Sequence, residues 1–333
     1  MIRAALLVSL TGLLVASGIA MAADTGPLRV YGSASVLEMG PLLRAAELSP
    51  PGTVAIRDGG IPNLWKDDAA PAAQGESFGG LTAPVSVGRA DLAANAETQA
   101  LRNSVTHPDL RIILTVTEGL YRVIGRQSSG ISSVRDLKGK RIATLPSTSA
   151  AYFVHRVLAP EGLTDADVVI VPMLAKQGAD ALISGGIDAL AIWEPEAERA
   201  RARLGGNAIV LGGPGVYREI YSLNTTAAAL ADPVKRAAIV AYVRTLTKAC
   251  AESRDAPAQT QALLAKSTGY APKAIAAAWP HHRFPCALPG DLLDVMAQEE
   301  LWLAAADHRA PRSRAALAPL IDDSVLAEAV RPK

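Results

Sequence analysis

Ser147, Thr148 and Ser149 stand in a row where the β-branched run RIATL stops at Pro146 and the helix-forming segment AAYFV begins. Free N–H groups and the helix dipole make such a strand-to-helix junction attractive to an anion, and hydroxyls placed there cap the helix, bind a ligand, or do both. Three hydroxyls exceed what one helix start needs, which favours ligand contact over capping alone. Leu145, held extended by the proline after it, fixes the exit from the strand. An oxyanion such as a sulfonate, carboxylate or phosphate suits the junction.

Three other strand-like runs end in side chains able to hold a ligand. Ser33 and Ser35 follow LRVYG, Asn95, Glu97 and Thr98 follow DLAA, and Trp193 and Glu194 follow IDALAI. Ligands of open α/β sheets bind beyond the C-terminal ends of strands, so all four loops are candidate ligand-binding segments. Each also has a plainer reading. Ser33 and Ser35 can cap a helix beginning near Val36, and Glu97 can serve the start of its own helix. Trp193 can be core, although its place before an acidic residue and the helix-starting Pro195 points it toward a binding surface. Glu194 and Glu196 can be first-turn carboxylates favoured by the helix dipole; that reading is adopted for Glu196 and stands level with ligand contact for Glu194. Tyr121, Tyr152, Tyr217 and Trp65 read first as packing residues and second as apolar walls.

Nucleophilic chemistry is thinly supplied. No cysteine occurs before Cys250, no histidine lies near the Ser33 loop, and His107 and His155 carry no triad signature. Cys250 and Cys286 either pair or remain thiols, since sequence alone does not bring their Cα atoms within the ~7 Å a bridge needs. His281 and His282 precede Cys286 without a nearby carboxylate or second thiolate, so they read as loop residues, and no metal or other cofactor is expected.

The elements that must position these residues follow from the pattern. Arg3, the apolar stretch AALLVSLTGLLVASGIA and the small-x-small Ala20-Met21-Ala22 read as an export signal cleaved after about Ala22. The remaining chain is long enough for two α/β lobes with their own cores, and lies outside the cytoplasm. Its 33 basic and 32 acidic residues form no basic cluster, which argues against nucleic acid and toward a small molecule or another protein. After Glu118-Gly119 strands alternate regularly with helices, from SVRDLKGKRIATL to NAIVLGG, which argues for a mostly parallel sheet covered on both faces. DDAAPAAQGESFGG has no period and reads as loop, and Glu118-Gly119 interrupts a long β-branched stretch at a candidate lobe boundary. From Asp232 the pattern is almost wholly helical.

In DLKGKRIATLPSTSAAYFVHRVLAPEGL, in VVIVPM and in DALISGGIDALAIWEPEAE, the chain resembles the extracytoplasmic solute-binding proteins of ABC importers, of the nitrate, sulfonate, taurine and thiamine-precursor type. The stretch from 136 to 196 carries the likeness most specifically. It implies an α/β two-lobe fold of the periplasmic-binding-protein type II, with a ligand cleft between lobes and a helical C-terminal part. The expected division is a signal at 1–22, first lobe at 23–118, second lobe at 119–221, and a return to the first lobe at 222–333. Two of the four candidate loops would then lie in each lobe, facing each other. The family places a ligand-binding Ser at the position of Thr148, has Trp-Asp-Pro more often than Trp193-Glu194-Pro195, and in its taurine and sulfonate branch sets an acidic residue at the position of Glu97. Hydroxyls on one wall with Glu97 and Glu194 on another would suit a zwitterion. The resemblance implies a periplasmic monomer that delivers a small anion or zwitterion to an inner-membrane permease. The alternative is an enzyme on the same fold, a sulfinate desulfinase or a thiamine pyrimidine-precursor synthase. The chain departs from both, with Ser33 and Ser35 where the first has a cysteine and without the cysteine-rich motif of the second.

Overall fold

Runs of β-branched and small apolar residues form the strands, and the computed structural model describes them over residues 26–68, 76–78, 81–83, 86–213 and 215–331. The export signal expected at 1–22 lies outside the described residues. In chain order the first strands are β1 (Leu28–Gly32), β2 (Val54–Asp58), β3 (Glu76–Phe78), β4 (Leu81–Ala83), β5 (Leu92–Ala96) and β6 (Leu110–Gly119). Then come β7 (Val123–Arg126), β8 (Arg141–Thr144), β9 (Val169–Pro172), β10 (Ala189–Ala191), β11 (Ala208–Leu211), β12 (Glu219–Thr226) and β13 (His282–Arg283). Between them run α1 (Gly40–Leu48), α2 (Glu97–Ser104), α3 (Ser149–Leu158), α4 (Ala175–Ser184) and α5 (Glu196–Leu204). The C-terminal part adds α6 (Ala227–Ala231), α7 (Pro233–Asp255), α8 (Ala258–Thr268), α9 (Pro272–Ala278), α10 (Leu292–Ala306), α11 (Arg314–Leu317) and α12 (Ser324–Ala329).

Two main sheets result. The first has the order β13-β6-β12-β5-β1-β2 and the second β11-β7-β10-β8-β9. The chain leaves the first sheet after Gly119 and returns to it at Glu219, so two short segments join the halves. Both sheets are mixed and not mostly parallel, because β12 runs antiparallel to β5 and β6 while β7 runs antiparallel to β10 and β11. These antiparallel strands border the two crossings, where alternation with helices stops carrying direction. The aperiodic stretch expected as loop contains β3, which pairs antiparallel with β4 just beyond it, and strands of three residues are too short to show a period. Its Phe78 packs into the core of the second sheet.

Side-chain alternation covers both faces of the first sheet. Val30, Leu92 and Ala94 join the core under α1 and α7, whereas their neighbours Tyr31 and Ala93 join the opposite core with Ile61, Leu101, Met296 and Leu303. Strand β12 is buried along its whole length despite its polar residues. Three of them are satisfied sideways: Ser222 donates to the Asn95 carbonyl at 3.1 Å, Asn224 to Ala93 at 3.1 Å and Thr225 to Asp91 at 2.8 Å. Helix α7 starts where sequence places it, with Asp232 accepting from the N–H groups of Val234 and Lys235 ahead of Pro233. Cys250 of α7 is disulfide-bonded to Cys286, their Cα atoms 6.1 Å apart, which settles the alternative left open above. His282 belongs to β13 and pairs with Gly119, so it is a strand residue and not a loop residue. Among the described residues no helix is long and apolar enough to cross a membrane.

Candidate ligand-binding cleft

Residues after β1, β5, β8 and β10 meet in a cleft of about 550 Å³ between the two sheets. Ser33, Ser35 and Asn95 line it from the first sheet; Thr148, Ser149 and Trp193 line it from the second. Where the chain leaves β1 it passes close to a side chain at Gly32, where a Cβ would stand 2.3 Å from Met39 Sδ. The hydroxyls of Ser33 and Ser35 lie 3.0 Å from each other, and the short helical turn Leu37–Met39 that follows takes no side-chain cap. Asn95 keeps its Oδ1 on the Ala96 N–H at 2.8 Å.

The three consecutive hydroxyls divide their work. Thr148 is the N-cap of α3: its Oγ1 accepts from the Ala150 N–H at 3.3 Å and donates to the Leu145 carbonyl at 2.6 Å. Ser147 takes a left-handed backbone at φ 59°, and its carbonyl accepts from Gln99 Nε2 at 3.0 Å across the cleft. Its side chain is not among those lining the cleft. Ser149 Oγ lies 3.1 Å from the Tyr121 hydroxyl and 3.3 Å from Glu219 Oε1.

Glu97, Thr98 and Glu194 do not reach the cleft. Glu97 is sealed behind it, accepting from the Tyr217 hydroxyl at 2.5 Å and the Ile220 N–H at 3.0 Å. Burial pushes its pKa up against those donors. Glu299 of α10 is pushed up as well, by burial and then by the Glu97 charge. Thr98 is fully buried on the first turn of α2. Glu194 accepts from Arg122 Nη2 at 2.7 Å and from the Glu198 N–H at 2.8 Å, so it anchors the start of α5 to the residue that precedes β7. Burial is the leading influence on Glu194 and leaves its pKa raised even beside Arg122. Tyr121 and Tyr152 each pack edge to face on Tyr217, and Trp65 stacks on His107 at 3.9 Å.

The acidic wall of the cleft is made instead by Glu38, Asp58 and Glu219, with Gln99, Lys176, Tyr221 and Tyr270 also on the lining. Sequence reading passed over them. Glu219 opens a strand after an irregular loop, and Glu38 looks like the polar face of a helix. One signal was available: in VLEMG a lone carboxylate is flanked by apolar residues on both sides, and Glu38 is indeed 1 % exposed. Glu219 is held well above the usual carboxylate range by burial first, then by the charges of Glu38 and Glu97. His282 Nε2 stands 3.4 Å from Glu38 Oε1. Burial lowers the affinity of His282 for a proton, and Glu38 more than offsets it.

Two α/β sheets joined by two short crossings, with a polar cleft between them, define the two-lobe class of binding-protein folds. Comparison with known proteins gives the family. The family model described as NMT1/THI5 like matches residues 74–276, and the chain belongs to that family. An Escherichia coli (strain K12) protein named for binding aliphatic sulfonates is 28% identical over 183 residues, 54% of this chain and 54% of that protein. The chain thus matches about half the length of this curated relative. Among solved structures, the alkanesulfonate-binding protein SsuA from Xanthomonas axonopodis pv. citri, bound to MOPS, shares the fold at TM-score 0.66 and 21% identity, covering 90% of this chain and 99% of that one. The desulfurization enzyme DSZB shares it at TM-score 0.61 and 15% identity, covering 91% and 98%.

Proposed function

We infer that this chain is an extracytoplasmic solute-binding protein, which captures a small anion or zwitterion in the cleft and delivers it to an ABC permease of the inner membrane. The observation that carries this reading is the cleft itself. It lies beyond the strand ends of both sheets, is lined from both sides, and receives the amino end of α3, where backbone N–H groups favour an oxyanion. Contacts made from both lobes reward closure around the solute, which is the differential affinity a capture protein needs. The match to sulfonate-binding relatives supports the same class of solute, with sulfonates, taurine-like compounds and nitrate as the set to screen.

The enzyme reading has less to work with. Ser33 and Ser35 occupy the loop after β1, and both cysteines are joined in a disulfide within the core under α1 and α7. No thiol and no histidine line the cleft among the described residues. A thermal-shift screen of the purified chain against small sulfonates, aminosulfonates and nitrate tests the proposal. A solute at 100 times its dissociation constant stabilises by ~2.7 kcal/mol. A panel without any stabilising solute, or conversion of a bound one, would count against capture.

A further inference from the structure

Glu97 and Glu299 meet in a closed interior behind the cleft, both fully buried. Their carboxyl groups are hydrogen-bonded to each other. Ionised carboxylates only accept, so that bond exists only while one of the two carries a proton. Glu97 already accepts from the Tyr217 hydroxyl at 2.5 Å and from the Ile220 N–H at 3.0 Å, which suits it to be the ionised member. No N–H group of the described residues reaches either oxygen of Glu299, which suits that residue to keep the proton and donate it to Glu97.

The pair stands at the joint between the two sheets. Glu97 opens α2 directly after β5 of the first sheet, and Glu299 lies on α10, which packs on α2. Tyr217, by contrast, belongs to the core of the second sheet, with Tyr121, Tyr152 and Phe153 around it. Ile220 lies in β12, just past the point where the chain returns to the first sheet. One carboxylate thus holds a second-sheet tyrosine and the first-sheet end of the return crossing at once. The groups around the pair supply no counter-charge. Tyr217 and Glu219 act on it from the return crossing, Tyr152 from α3 and Tyr121 from the outward crossing. Glu219 makes a second acid pair with Glu38, whose Oε1 stands 3.4 Å from His282 Nε2. Arg156 reaches the Tyr152 hydroxyl at 3.4 Å and Gln298 at 3.2 Å, and among the described residues no basic group pairs with Glu97 or Glu299.

We propose that Glu97 and Glu299 share one proton that locks the return crossing to the first sheet, so that the joint between the sheets stiffens as pH falls and loosens as pH rises. Without that proton two carboxylates lie side by side in an interior and repel each other. Relief comes from water, and letting it in along the Tyr217–Glu97 contact parts the two sheets at that point. Burial, and then the Glu97 charge, hold the Glu299 carboxyl well above its ordinary 4.5. A carboxyl raised in this way contributes stability that is fully present below pH 4.5 and is lost as pH rises through its folded value. The device stands apart from solute capture, and it is tested on the chain without solute.

The test is denaturant unfolding of the purified full chain, wild type and Glu299→Gln, between about pH 5 and pH 8, with X-ray scattering of the folded forms at each pH. Circular dichroism shows that each form is folded. A glutamine amide keeps a donor toward Glu97 and does not titrate. The wild-type unfolding constant, divided by that of Glu299→Gln, should rise with pH by up to about tenfold per unit, the limit for one proton. The Glu38–Glu219 pair and His282 are present in both forms and cancel in that ratio. The wild-type radius of gyration should grow over the same range, while that of Glu299→Gln stays constant. A ratio that changes by less than about twofold from end to end means that no proton is shared. A radius that grows equally in both forms, or in neither, means that the proton locks nothing. Either result overturns the proposal. Should Glu299→Gln fail to fold, Glu97→Gln takes its place in both measurements, and a constant wild-type radius still overturns the lock.

Discussion

Gln99 Nε2 on α2 donates to the Ser147 carbonyl ahead of α3 at 3.0 Å, so a first-sheet helix holds the turn that starts a second-sheet helix. Tyr270 makes a second tie, its hydroxyl donating to Glu196 Oε1 of α5 at 2.7 Å. Both residues line the cleft, and both ties span the lobes. In a capture protein such ties favour closure of the two sheets on the cleft. Combining Gln99→Ala with Tyr270→Phe should enlarge the radius of gyration of the solute-free chain in X-ray scattering and weaken solute binding by roughly fivefold or more, since each lost bond is worth about 1 kcal/mol. An unchanged radius and affinity would show that the ties do not govern closure.

Thr148 tests whether its hydroxyl serves the helix or the solute. With Oγ1 spent on Leu145 and Ala150, Thr148→Ala should cost about 1 kcal/mol of stability, seen as a melting temperature lower by roughly 2–4 °C. Ser149→Ala should instead act on binding, because its hydroxyl faces Tyr121 and Glu219 at the cleft. Melting and titration of the two variants separate the roles.

Glu300 of α10 gathers Arg309 and Arg312, and Arg312 continues to Ser104 and the Leu101 carbonyl on α2. Burial opposes ionisation, but these arginine hydrogen bonds win and hold the carboxyl at about 2 against an ordinary 4.5. A folded pKa below the unfolded one stabilises the protein above the unfolded value, and that contribution fades as pH falls through the folded one. Glu300→Gln should therefore lower stability by about 1–3 kcal/mol at pH 7, with the difference shrinking below pH 4.5 and closing near pH 2. Denaturant unfolding of both forms across that range measures it.

The Cys250–Cys286 bond closes a loop of 36 residues between α7 and the segment before α10. Closing a loop of that size removes unfolded-state entropy worth about 3–4 kcal/mol. Replacing both cysteines with alanine should cost close to that amount, while solute affinity stays within about twofold because the bond lies in the core away from the cleft. Equilibrium unfolding and titration of the double variant give both numbers.

Most of the fold was legible because period and punctuation are local properties. RIATL followed by Pro146 gave β8 and the start of α3, and Asp232-Pro233 gave the start of α7. The direction of β7 and β12 was not legible, since it depends on where the chain crosses between sheets. The candidate loops were found by their position after strands, and six of their ten named residues line the cleft: Ser33, Ser35, Asn95, Thr148, Ser149 and Trp193. Local sequence does not tell which way a first-turn side chain points. Glu97 turned to Tyr217, 120 residues away, and Glu194 to Arg122, 72 residues away. Glu38 and Glu219 came to the cleft through the same long-range packing, which no spacing in the chain encodes.

Capture without chemistry is tested most directly by quantitative recovery of the solute. The purified chain is saturated with the tightest solute from the screen, washed, left for hours, denatured, and the released molecule measured by mass spectrometry. One unaltered solute per chain is the expected result. Loss of the solute with appearance of a product, above all release of sulfite from a sulfonate or sulfinate, would contradict it and make the cleft an active site.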